Sequence, residues 1–194
     1  MDCAKVGALI QRLRKEKKLT QAALAEALML SPKTISKWER GLGCPDVSLL
    51  PGLCAILGVN PSRLLEGELS PNQTVGGNMK KTRYFVCPDC GNISLCTGNA
   101  EISCCGRKLE ALEMKKALPE EKLHVEIVED EWFISSDHPM EKDNYISFVA
   151  FQTGDRVELI KQYPEWNLQL RLKKRGHGQL IWYCVNEGLR YQLL

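Results

Sequence analysis

No stretch of this 194-residue chain approaches the ~20 consecutive apolar residues that a bilayer-spanning helix needs. No membrane partner is therefore expected. The opening residues, MDCAKVGAL, lack the charged, apolar and cleavage regions of a secretory signal, so a soluble, cytoplasmic chain is expected. There is no internal repeat and no low-complexity tract, which argues against a repeat array. Net charge is nearly absent, with 26 Lys and Arg against 24 Asp and Glu. Histidine is scarce: His124, His138 and His177 are the full complement, which rules out a site of four imidazoles. Cysteine, in contrast, is plentiful at nine residues. In a reducing compartment these are expected as thiols or metal ligands rather than disulfides. Cys87, Cys90, Cys104 and Cys105 fall within 19 residues. Cys3, Cys44, Cys54 and Cys96 are read as bystanders.

The small net charge is unevenly spread. Residues 1–44 hold nine basic and four acidic side chains, an excess of five that suits a phosphate-lined partner. Within them, LTQAALAEALMLSPKTISKWERGLG (residues 19–43) reads as two short helices with a tight joint, from about Thr20 to Leu28 and from Pro32 to about Arg40. Ser31 suits an N-cap, and Pro32 suits the first helical position, where a missing N–H is harmless. Gly41 and Gly43 can stop the second helix. Leu24, Ala25, Leu28, Ile35 and Trp38 recur at helical spacing and close a small core. Lys33, Thr34, Ser36, Lys37 and Arg40 then lie on the free side. A pair of helices with an exposed basic second member is a helix-turn-helix, a reader of double-stranded DNA.

Three further helices complete the unit: Val6 to Lys18, a helix capped by Ser48 and running to Leu57, and Ser62 to Glu66 after Asn60-Pro61. Residues 1–69 are read as this five-helix DNA-binding domain. Residues 70–81, SPNQTVGGNMKK, carry no period and read as a flexible linker. From Thr82 the pattern changes to strands. Residues 82–113 form short pieces with cysteines at turns. In residues 114–194 seven β-like runs follow one another: HVEIVE, EWFIS, NYISFVAFQ, RVELIKQY, LQLRLK, GQLIWYCV and LRYQLL. Such spacing predicts an antiparallel sandwich. The expected fold is thus multidomain, α plus β.

Thr20-Gln21, Leu24-Ala25, Ser31, Ile35, Trp38-Glu39-Arg40-Gly41, Pro45-Asp46 and Leu64-Leu65 together resemble the Cro/cI-like (XRE) family of helix-turn-helix regulators, over residues 5–67. The resemblance implies a lambda-repressor-like domain that docks on an operator as a homodimer, with the second helix of the motif in the major groove. It implies that Gln21, Ser31 and Arg40 position the DNA backbone. Pro32, Lys33, Thr34 and Lys37 would then face base edges, where a lysine can donate to guanine. It further implies a structural ion pair between Arg14 and Glu39. Met29 stands at the joint, where relatives often have Gly.

Cys87-Pro88-Asp89-Cys90 and Cys104-Cys105-Gly106 offer two thiolate pairs at turns. Four thiolates suit a tetrahedral zinc or iron site, and spacing alone does not rank the two. Tyr84-Phe85-Val86-Cys87, Cys90-Gly91 and Cys104-Cys105-Gly106 resemble desulforedoxin, which implies a single iron. With His124-Val125, His138-Pro139-Met140-Glu141 and Tyr183-Cys184, the region from Thr82 onward resembles desulfoferrodoxin. That implies an immunoglobulin-like sandwich with superoxide reductase activity, its iron held by four histidines and an axial cysteine. On that pattern His124 and His138 match two histidines and Cys184 the thiolate, but Asn144 and Glu187 stand where the other two histidines belong. A reduced second metal site of His124, His138, Cys184 and Glu187 is one reading of this set; a remnant inside a retained sandwich is the other, and the favoured one. The sequence therefore points to a transcriptional regulator with a metal-binding, redox-sensing tail. Its alternative is a superoxide reductase-like oxidoreductase with an accessory DNA-binding domain.

Overall fold

The structure, a computed structural model, describes residues 2–70 and 79–194. Most of the expected linker, residues 71–78, lies outside the described residues; its last three, Met79–Lys81, form a short 3-10 turn. The chain divides into two compact units, Met1–Pro71 and Asn72–Leu194.

The N-terminal unit has five helices: α1 (Cys3–Glu16), α2 (Gln21–Ala27), α3 (Pro32–Glu39), α4 (Leu50–Leu57) and α5 (Pro61–Glu66). Their ends follow local chemistry. Asp2 Oδ1 accepts from the Ala4 and Lys5 N–H groups and starts α1 three residues earlier than the apolar period implied. Thr20, Ser31 and Asn60 cap α2, α3 and α5, with Pro32 and Pro61 in the first turns. Gly58 and Gly67 end α4 and α5 in the left-handed region. One expected cap is corrected: Ser48 does not cap α4. Asp46 instead accepts from the Ser48 N–H at 2.9 Å and from its hydroxyl at 2.6 Å, opening a 3-10 turn over Val47–Leu49 that leads into α4. A carboxylate two residues ahead reaches that N–H without strain, and Pro51 then falls in the first turn of α4.

The core of this unit joins Leu9, Leu13, Leu24, Ile35, Trp38, Leu53, Leu57 and Leu64. The backbone of α1 at Gly7 lies directly on the Trp38 carbonyl, where any side chain would collide. The expected Arg14–Glu39 pair is present and almost fully buried. Arg14 Nη2 donates to Glu39 Oε2 at 2.9 Å, and Gln21 Nε2 donates to the same oxygen at 2.7 Å. Burial on its own would raise the Glu39 carboxyl, but the hydrogen bonds from Arg14 and Gln21 outweigh it and hold it below its ordinary value.

A second expectation fails in this unit. Cys3 and Cys44 are not free bystanders but form a disulfide, with Cα atoms 5.1 Å apart and a sequence separation of 41. Nothing in the local spacing announces it. The fold brings the loop after α3 onto the first turn of α1, so that a side chain at Gly41 would strike Ala4. In the chain-entropy account, a closed loop of this size stabilises the unit by on the order of 4 kcal/mol.

The C-terminal unit begins with a ribbon of two hairpins. Strand β1 (Arg83–Val86) pairs with β2 (Ile93–Cys96), and β3 (Ile102–Cys104) with β4 (Arg107–Leu109). Cys105 and Gly106 form the second hairpin's two-residue turn, both at positive φ, 50° and 76°. Then come β5 (Met114–Lys116), β6 (His124–Val128), β7 (Glu131–Ser135), β8 (Ile146–Gln152), β9 (Val157–Lys161), β10 (Gln169–Lys173), β11 (Gln179–Cys184) and β12 (Gly188–Leu193). They build a three-stranded sheet, β10-β7-β6, and a five-stranded sheet, β5-β12-β11-β8-β9. The seven expected strands all form. The eighth, β5, pairs parallel to β12 and so breaks the expected all-antiparallel pattern. Its sequence, Met-Lys-Lys, is too short and polar to show as a strand.

The sheets meet over Trp132, Ile134, Leu170 and Leu172 from one side and Val149, Phe151, Leu180 and Trp182 from the other. Trp132 and Phe151 contact edge to face at 4.7 Å. The opposite face of the five-stranded sheet is also covered, and for that reason β8 is buried at every position. Tyr84 of the ribbon sits there beside Phe148, Ala150, Ile181 and Leu189. It stacks on Phe148 at 5.8 Å, and its hydroxyl donates to Gln152 Oε1 at 2.8 Å.

Two outcomes follow. Tyr84→Ala should destabilise the C-terminal unit by about 3–5 kcal/mol, and Tyr84→Phe by about 1 kcal/mol, as read from urea unfolding. For Glu39, the folded carboxyl titrates below the ordinary 4.5. Its contribution is therefore complete above that pH and is lost as pH falls through and below it, because the unfolded chain takes up the proton first. Glu39→Gln should flatten this acid limb in thermal melts recorded from pH 6 to pH 3 (roughly the carboxylate range).

Candidate functional site

Helix α3 sorts its side chains as an exposed reading helix would. Ile35, Trp38 and Glu39 point into the unit, whereas Ser31, Pro32, Lys33, Lys37 and Arg40 are exposed and Thr34 is half-buried. Lys33 and Lys37 are one turn apart and share a face. Ser31 Oγ accepts from the Thr34 N–H at 3.3 Å and lies 3.0 Å from the Thr34 hydroxyl, so these two spend part of their capacity on the cap. Arg40 Nε donates to the Ser36 carbonyl at 3.2 Å, which holds its guanidinium along the helix end. Gln21 is placed differently from the rest of the expected set: its amide is drawn inward to Glu39. Met29 takes the joint position with φ 55° and is 94% exposed, so its side chain meets nothing.

The second site is the ribbon. Cys87, Cys90, Cys104 and Cys105 place their sulfurs within 4.8 Å of one another. Cys90 and Cys104 Sγ are 3.5 Å apart, and Cys104 and Cys105 Sγ 4.0 Å. Around a metal with bonds of about 2.3 Å, tetrahedral thiolates would stand roughly 3.8 Å apart. The four residues therefore fit a tetrahedral zinc or iron. Local groups prepare them. Burial alone would raise Cys87, but the backbone N–H groups of Cys90 and Asp89 overcome it and bring the thiol down to about 7. The neighbouring sulfurs, Cys90 first, push Cys105 up to about 12, as expected when protons are shared in a crowded group. Asn92 Nδ2 lies 3.8 Å from Cys104 Sγ as a donor, and Arg107 pairs with Asp89 at 3.0 Å across the two loops. Neither was foreseen; an amide after the Cys-Gly turn and a charge pair flanking the cysteines are weak signals in sequence. A metal held here would supply a cross-link and a one-centre redox or structural group.

The third group gathers His138, Cys184 and Glu187, whose ligand atoms also lie within 4.8 Å. Asn144 joins it through Oδ1, 3.2 Å from Cys184 Sγ. His124 does not join: its Nε2 pairs with Asp137 at 3.0 Å, and its side chain is 59% exposed. Two of the remaining donors are already engaged in hydrogen bonds. The Met140 N–H donates to His138 Nδ1 at 3.1 Å, so that nitrogen is spent as an acceptor, and Nε2 lies 3.5 Å from Cys184 Sγ. The Cys184 thiol in turn donates to Asn144 Oδ1, and burial raises its pKa. A metal-binding imidazole normally presents a bare nitrogen and donates through the other; this one is arranged the opposite way. The residues do not fit an iron centre of four imidazoles and a thiolate.

A helix-turn-helix family model matches residues 10–64. The HTH-type transcriptional activator BcrR of Enterococcus faecalis is 44% identical over 59 residues, which is 30% of this chain and 29% of that protein. The match thus spans under a third of that relative's length. The superoxide reductase of Treponema pallidum superposes with a TM-score of 0.51 at 16% identity, over 60% of this chain and 99% of that one. The clp gene regulator ClgR of C. glutamicum is 31% identical over 34% of this chain and 87% of that one, with a TM-score of 0.32. Residues 10–64 are a helix-turn-helix domain, and the chain continues into a unit with the superoxide reductase fold and a four-cysteine cluster.

Proposed function

We propose that the protein is a DNA-binding transcriptional regulator whose C-terminal unit carries a metal on Cys87, Cys90, Cys104 and Cys105. The observation that carries this reading is the division of α3. Its apolar side closes the helical core, and Lys33, Lys37 and Arg40 stand exposed on the other. Lys33 and Lys37 read base edges in the major groove, and Arg40 and the N-terminal end of α3 at Ser31-Pro32-Thr34 grip phosphate. Gln21, held by Glu39, orients rather than reads. Two copies of the chain bind one operator, each reading one half-site. The metal, iron or zinc, holds the two ribbon hairpins together; iron would make the ribbon responsive to oxidation. Four-sulfur modules with small cores depend on their metal for folding. The ribbon core here amounts to Phe85, Cys87 and Leu109. The alternative, a superoxide reductase with a DNA-binding head, has the fold in its favour. The third group's donor set counts against it.

Selection from a random duplex library by the full chain should enrich one motif. Lys33→Ala and Lys37→Ala should each weaken binding to it about tenfold or more while melting as the parent does. Enrichment of no motif would overturn the reading. Separately, elemental analysis of anaerobically purified protein should find metal that Cys90→Ser removes. If stripped and metal-replete protein bound the selected duplex equally at fixed salt, the ribbon would have no part in regulation.

A further inference from the structure

We propose that Cys3 and Cys44 form a redox clasp on the N-terminal unit, closed by low-molecular-weight disulfides and opened by thiols, that sets how firmly the end of α3 is held. This deepens the DNA-reading proposal and rests on it for its effect on DNA. The clasp's position is the argument. Cys3 is the first residue of α1, and Cys44 lies four residues past the α3 C-cap, Arg40. The bond therefore encloses α1, α2 and α3, the whole reading motif. The loop it fastens is the one that terminates α3: the Gly41 N–H donates to the Trp38 carbonyl at 2.9 Å, and the Leu42 N–H to the Lys37 carbonyl at 2.9 Å. Lys37 and Arg40 thus lie on the turn of helix whose last carbonyls this loop satisfies. With the bond closed, Gly41 is pressed against Ala4. With it open, the loop is held only by these end bonds and by packing, and the last turn of α3 can fray.

The two residues are also partly open to solvent. Cys3 and Cys44 are both only partly buried, whereas Cys54, the unit's other cysteine, is packed in the core. Exchange with oxidised glutathione balances as follows. One protein thiolate attacks a glutathione sulfur, forms a mixed disulfide and releases one glutathione thiolate. The second protein thiolate then displaces the other glutathione. The protein loses two electrons and two protons, and one oxidised glutathione becomes two reduced molecules.

The test uses the full chain equilibrated anaerobically in glutathione buffers from reduced to oxidised. Differential alkylation and peptide mass spectrometry follow Cys3 and Cys44, and melting and duplex binding are recorded in parallel. The melting transition of the N-terminal unit is the one that Glu39→Gln moves. The oxidised clasp should raise it by about 10 °C or more and should tighten binding to the selected duplex. Cys3→Ser and Cys44→Ser should each behave as the reduced protein throughout. Two results would overturn the clasp: Cys3 and Cys44 alkylating as free thiols in every buffer, or the serine variants responding as the parent does. Unchanged duplex affinity across a full melting shift would overturn its control of reading. If no duplex is selected at all, the DNA reading fails, and the melting shift still reports on the clasp.

Discussion

A buried carboxylate organises the N-terminal unit. Glu39 stands near the end of α3 and receives Arg14 from α1 and Gln21 from α2, with Gln11 3.5 Å away. Three helices are thereby referred to one point, and the angle of α3 is set by polar bonds as well as by packing. Such a pair adds little net stability when compared with apolar replacements, but removing one member leaves a charge stranded in the core. Its value here is register. The exposed side of α3 faces outward in one defined direction because the inner side has one set of partners.

The C-terminal unit follows a different logic. Its five-stranded sheet has no solvated face along β8, where all seven residues are buried. One face meets the second sheet and the other meets the ribbon. The ribbon is therefore not an appendage. Tyr84 lies three residues before Cys87, within one short strand and its exit, so the group that covers the sheet and the group that gathers sulfur are covalently close. Beside Cys184, His138 is the one imidazole gathered among the described residues. Asn144, hydrogen-bonded to Cys184, closes that corner.

Much of this was legible in sequence because it depends on local rules. Ser31-Pro32 and Asn60-Pro61 are helix starts whatever surrounds them, and period-two runs such as Glu131–Ser135 become strands wherever one face is buried. The four cysteines were legible for the same reason: two pairs at turns have few other uses. The failures share a cause. The Cys3–Cys44 bond, the pairing of β5 with β12, the turn of His124 toward Asp137 and the inward draw of Gln21 are all set by residues distant in sequence or by competition between two partners. Asp46 displacing Ser48 is the small local exception, two good caps two residues apart with only one able to act.

The double coverage of β8 has a consequence for the protein's behaviour in solution. Phe148, Ala150, Ile181 and Leu189 form a continuous apolar surface that is buried because Tyr84, Val86, Ile93 and Leu112 lie over it. A chain whose ribbon has come away presents that surface to its neighbours, and contiguous apolar area of this kind drives self-association. Solubility and the integrity of the ribbon are therefore one property in this protein: what loosens the sulfurs also uncovers an apolar surface.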